Sequence, residues 1–203
     1  MPSKPEAPAG ARTVGRAGVS LSPAATLAAN HLGVLWTTLD AALTPAFGEL
    51  SAASAALLQW LHHWAPMGVV ELARIAGLSQ PACTRAVDRL VQQGLLRRLP
   101  ASGKEVPLAL TPKGSAAARR MQAQRLHACD QLLAPLSAAE RESLLALVHK
   151  LVQAPVSGRA YARHVCRYCD HVSCDGPACP VGCRASELEA APGSEGHIKA
   201  PRP

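Results

Sequence analysis

Aromatic side chains are scarce in this chain of 203 residues: three Trp, two Tyr and one Phe make up 3% of it, so Leu, Val and Ala must fill most of the core. No apolar run approaches the roughly 20 residues of a membrane span. The opening MPSKPEAPAG lacks the apolar stretch of a secretory signal. Together these absences point to a cytoplasmic protein without a membrane partner. Also missing are G-x-G-x-x-G, a P-loop, H-E-x-x-H and G-x-S-x-G, and nothing resembles a nucleophile with its base, so a non-enzymatic protein is expected. Acids are nearly absent from one basic stretch. Between positions 79 and 104, Arg85, Arg89, Arg97, Arg98 and Lys104 face a single acid, Asp88.

What is present reads as globular: 48% of residues are hydrophobic and 17% charged, with a formal net charge of +7. The length favours one domain, or one domain plus an appendage. Residues 1–19 and 185–203 are rich in Pro, Gly and Ala without apolar periodicity and are expected to be disordered tails. Leu32, Leu35, Trp36, Leu39, Leu43, Phe47 and Leu50 recur every three or four residues, the stripe of an amphipathic helix that Pro45 should kink or end. SAASAALLQWLHHW, capped by Ser51, and VVELARIAG, stopped by Gly77, form the next two helices.

LSQPACTRAVDRLVQQG predicts a fourth helix, with Ser79 as cap, Pro81 in the first turn, an apolar face of Cys83, Val87, Leu90 and Val91, and Gly94 at its end. LLRRLP and VPLALT read as two strands around the turn ASGK. Thr111-Pro112 restarts a long helix, and Ser137 with Glu140 has the form of a capping box opening the last one. The predicted order is four helices, a β-hairpin and two helices, a mainly α fold.

A short helix, a tight turn, a second helix with exposed Thr and Arg, and a cationic hairpin follow one another as in a winged helix-turn-helix. The major groove of B-DNA, about 12 Å wide, admits one α-helix, and a cationic wing can follow the phosphates beside it. Burying the apolar face of the fourth helix turns Gln80, Thr84, Arg85, Asp88 and Arg89 to solvent beside Ser79 and Pro81. Arg85 suits guanine O6 and N7, Thr84 a phosphate or thymine methyl, and Gln80 adenine. Arg98 and Lys104 supply the wing's charge.

These residues carry a resemblance. VVELARIAGLSQPACTRAVDRLVQQGLLRR followed by LALTPKG resembles the MarR family of bacterial regulators, with its Glu-Leu-Ala, Leu-Ser turn, Thr-Arg, Gly-Leu-hydrophobic-x-Arg and Leu-Thr-x-x-Gly, over about residues 25–153. The resemblance implies a winged domain with dimerisation helices over 20–153, and a homodimer whose terminal helices interlock above a near-palindromic duplex operator. It also implies a repressor released by a small-molecule effector or by cysteine oxidation. The apolar surplus of residues 32–50 and of Leu144, Leu145, Val148 and Leu151 agrees with an interface. One departure is the wing, where ASGK is about one residue shorter than the family's turn and Lys104 stands in for its arginine. Trp36, Trp60 and Trp64 are assigned to the core and His62 and His63 to a helix C-terminus, although with His31 they are also candidates to line an effector cleft.

Outside the resemblance lies CRYCDHVSCDGPACPVGC, five of the chain's seven cysteines in eighteen positions. A reducing compartment disfavours disulfides and turns such a cluster toward metal or redox chemistry. Within a segment 154–184, Cys166, Cys169, Cys174 and Cys179 are assigned as ligands of one zinc ion, since two-residue spacing lets paired thiolates take adjacent corners of a tetrahedron. Cys183, His164 and His171 are alternative ligands. Competing assignments are an Fe–S cluster, metal-free redox thiols, and a zinc knuckle for RNA, with Tyr168 as its stacking ring.

Overall fold

The computed structural model describes residues 21–101, 103 and 105–191. The tail 1–19, Lys104 and residues 192–203 lie outside the described residues. The chain divides after Thr38 into two units. Helix α1 (Pro23–Leu43) begins in the first and has no buried residue; Leu32 is 53% and Trp36 70% exposed. The first part of its apolar stripe is thus exposed, which corrects the assignment of Trp36 to the core, while Leu39 and Leu43 are half-buried. In the second unit Pro45 sits in a 3-10 turn, Thr44–Phe47, that follows the end of α1.

Three short helices make the centre of the second unit: α2 (Ala52–Trp64), α3 (Val69–Ala76) and α4 (Gln80–Gln92). Ser51 caps α2 by accepting the Ser54 N–H, and Leu57, Leu58 and Leu61 of α2 are fully buried with Leu72 and Ile75 of α3 and Cys83, Val87 and Leu90 of α4. Gly94, at φ +70°, reverses the chain after α4 and lets the Leu95 N–H reach the Leu90 carbonyl at 2.9 Å. Strands β1 (Leu96–Arg98) and β2 (Leu108–Leu110) pair antiparallel, Leu96 opposite Leu110 and Arg98 opposite Leu108. Met67 adds a one-residue bridge to Leu108. This third edge ties the α2–α3 connection to the hairpin and has no pattern in the sequence.

Two longer helices follow, α5 (Pro112–Leu133) and α6 (Ala138–Gln153). The capping box of Ser137 and Glu140 is present, yet α6 buries no residue. No single helix among the described residues is long and apolar enough to cross a membrane. Beyond α6 the segment expected to be a linker and cysteine loop is a folded module: α7 (Arg159–Val165), a 3-10 turn at Gly176–Ala178 and α8 (Pro180–Ala190). The irregular tail expected from residue 185 is therefore corrected for 185–190. Val181, Ala185 and Leu188 recur at helical spacing and pack with Val156 and Ala162, a pattern too short to stand out beside the polar SELE.

Candidate nucleic-acid interface and cysteine cluster

Gly77, at φ +67°, ends α3, and the Leu78 N–H closes on the Ala73 carbonyl at 2.9 Å, so two residues suffice to turn the chain into Ser79. Ser79 caps α4 by accepting the Ala82 N–H at 3.4 Å. With Cys83, Ala86, Val87 and Leu90 locked in the core, Gln80, Pro81, Arg85 and Arg89 are exposed on the other side. Thr84 is half-buried and its hydroxyl donates to the Gln80 carbonyl at 3.0 Å. Arg85, Arg89 and Arg97 make no ion pair with a described residue. Arg98 does: it donates to Asp88 at 2.5 Å and so braces β1 against α4. Burial pushes the Cys83 thiol up to about 11, which leaves it inert packing on the apolar face where the sequence placed it.

The hairpin is held from behind by the start of α5. Thr111 caps that helix through the Gly114 N–H and also donates to the Gly94 carbonyl at 2.7 Å, while Lys113 Nζ donates to the Gln93 carbonyl at 2.8 Å. Gly114 lies so close to the chain that a Cβ there would stand 2.0 Å from the Leu95 carbonyl oxygen. The Leu-Thr-x-x-Gly pattern is thereby a packing requirement: one hydroxyl closes two helix ends, and a hydrogen in place of a side chain lets α5 cross β1.

A helix presenting unpaired cations beside a braced hairpin is the decisive arrangement, and residues 50–103 match the model of the MarR family. This segment belongs to that family. The chain is also similar to solved structures: YusO of Bacillus subtilis (21% identity, 66% of this chain and 99% of that one, TM-score 0.57) and RV1404 of Mycobacterium tuberculosis (23%, 66% and 95%, 0.53). Wild-type apo MarR of E. coli shares 26% identity over 65% of this chain and 98% of its own, with a TM-score of 0.50. The fold is the winged helix of MarR regulators.

The cysteine module docks on the MarR-family domain through three residues the sequence did not single out as contacts. Arg163 pairs with Glu71 of α3. His164 bonds the Ile75 carbonyl through Nδ1 at 2.9 Å, its Cε1 filling the space over Gly77. Tyr168 donates to the Ala52 carbonyl at 2.6 Å and stacks on Phe47 at 5.3 Å. The buried Gln122 amide of α5 completes the contact, its oxygen toward the Asp170 N–H and its nitrogen toward the Tyr168 carbonyl. These pairs lie far apart in sequence, so no periodicity marks them.

Within the module the thiols of Cys166, Cys169, Cys174 and Cys179 form a ring, each within hydrogen-bond reach of two others. Cys169 is held down to about 7, chiefly by accepting the Cys166 S–H, helped by the Arg125 cation and by Cys174. Cys166 is pushed up by donating to Cys169 and by burial, and burial pushes Cys174 to about 12. Among the described residues no three His, Cys, Asp or Glu side chains are already drawn up around one point as an ion's ligands would be. Cys183 stands apart and donates to the Gly176 carbonyl at 3.3 Å.

His171 leaves the ring too, its ring packed edge-on against Trp60 at 5.3 Å and Trp64 at 5.6 Å. Trp60 is core as expected, whereas Trp64 is 39% exposed and walls a cavity of about 1030 Å³ with Trp60, His171 and Arg163. Burial, reinforced by His171 and His62, holds the His63 imidazole below its usual value, and burial with Arg119 does the same for His62.

Proposed function

We propose that the protein is a dimeric, sequence-specific DNA-binding regulator of transcription that represses by occupying a near-palindromic operator. The observation that carries this reading is the exposed face of α4: Gln80, Arg85 and Arg89 project from a helix whose opposite face is fixed in the core. Ser79, Pro81 and Thr84 start that helix and are assigned to its phosphate-facing end, where backbone N–H groups favour an anion. Arg98, braced by Asp88, flanks it for the backbone, and Lys104 is assigned to the same role from the sequence alone. Release belongs to a small molecule, and the cavity walled by Trp60, Trp64 and His171 supports an aromatic one.

Dimerisation is supported by the uncovered apolar faces of α1 and of α6, where Leu145 and Leu151 are 55% and 58% exposed. The RNA-knuckle reading loses its stacking ring, because Tyr168 is engaged with Phe47 and Ala52. The test is fluorescence anisotropy with the palindrome selected from random duplexes, unrelated duplex and single-stranded RNA. The expected preference for the selected duplex is about 10³-fold or more. Equal affinity for all three defeats the proposal.

A further inference from the structure

We propose that Cys166, Cys169, Cys174 and Cys179 are a tetrathiolate site for one zinc ion, and that its occupancy fixes the C-terminal module on the helix-turn-helix. The four thiols come from three separate stretches: the end of α7, the loop that follows, and the start of α8. Cys179 is built into the fold as the cap of α8, its sulfur accepting the Gly182 N–H at 3.1 Å. The ring excludes the other donors nearby. Cys183 is spent on a carbonyl and His171 is packed edge-on against two stacked tryptophans.

Two further observations point to a bound dication. The module's core is six buried side chains, Val156, Ala162, Cys166, Cys179, Val181 and Ala185, two of which are these cysteines. So small a core needs a staple, and free thiols do not supply one. Arg125, beside Cys169, has its Nε buried with no acceptor. On binding, Zn²⁺ displaces the remaining thiol protons to solvent and leaves a unit of charge −2, which gives that guanidinium its missing counterpart. An all-thiolate tetrahedral set selects zinc over harder cations, and the spacing lacks the C-x2-C-x2-C run of common Fe–S sites.

Occupancy matters beyond the module because Arg163, His164 and Tyr168, which touch α3 and α2, flank or lie between the first two ligands. Gly77, under His164, is the turn into α4. Fixing the ligands fixes those contacts. This consequence rests on the DNA reading, whereas the metal site does not.

The full chain, purified with reductant and without oxygen, is analysed for metal and then titrated with Co²⁺. About one zinc per chain and the visible bands of tetrahedral thiolate-bound cobalt are expected. Both should be lost in the variant combining Cys169→Ser and Cys174→Ser and kept in Cys183→Ser. Iron with a visible chromophore overturns the site, as does wild-type protein that retains no metal and shows no cobalt bands; neither result depends on a variant folding. Chelation should weaken binding to the selected duplex by roughly tenfold. Unchanged affinity after complete removal of zinc overturns the coupling, while a metal-loaded protein that binds no duplex sinks the DNA reading alone.

Discussion

Arg85 and Arg98 sit thirteen positions apart in one basic stretch and have opposite situations. Arg98 is committed to Asp88, and both side chains are 41–49% exposed, so their pair adds little stability and serves mainly to orient the wing. Arg85 has no such tie among the described residues and keeps both edges of its guanidinium for a base. Arg85→Ala is therefore expected to cost about 1–3 kcal/mol on the selected duplex and to relax one position per half-site, whereas Lys104→Ala should weaken all duplexes alike and flatten the salt dependence. Anisotropy titrations at several salt concentrations separate the two. Equal losses for Arg85→Ala on selected and random DNA would remove it from base readout.

At the scale of elements, the caps show how local chemistry places helix ends. Ser51, Ser79, Thr111 and Ser137 each accept an N–H from the first turn, and Cys179 does so with sulfur. Bonds from the Ser137 hydroxyl and backbone N–H hold the Glu140 carboxyl below its usual value. Since the folded value is the lower one, the box contributes fully above the ordinary carboxylate range of about 4.3 and is lost as pH falls through the depressed value. Carbon-13 NMR should show Glu140 titrating below that range, with Ser137→Ala returning it there. A normal titration in the unmodified protein would mean the box is not formed in solution.

For the whole molecule, two helices leave apolar side chains exposed. Neither α1 nor α6 buries a residue, although α1 carries Leu27, Leu32, Leu35 and Trp36 and α6 carries Leu145, Leu147 and Leu151. Two-fold association would cover such faces and set two recognition helices one turn of DNA apart. Sedimentation at micromolar concentration is expected to give twice the chain mass of 21.2 kDa, and footprinting to place half-site centres about 10 bp apart. A monomer binding one chain per site would contradict this.

The winged helix was legible because its signals are local: apolar spacing in α2 to α4, hydroxyl caps, Gly77 and Gly94 where the backbone needs positive φ, and cations left on one face. The proposed cysteine ligands were legible only as spacing. What required the folded chain was every contact joining distant residues: the Met67–Leu108 bridge, the crossing of α5 at Gly114, the bracing of Arg98, and the docking of Arg163, His164 and Tyr168 on α3 and α2. Caps and periodicities are fixed by neighbours within a few positions. A carbonyl at Ile75 becomes the partner of His164 only once two modules have packed, and no spacing along the chain encodes that meeting.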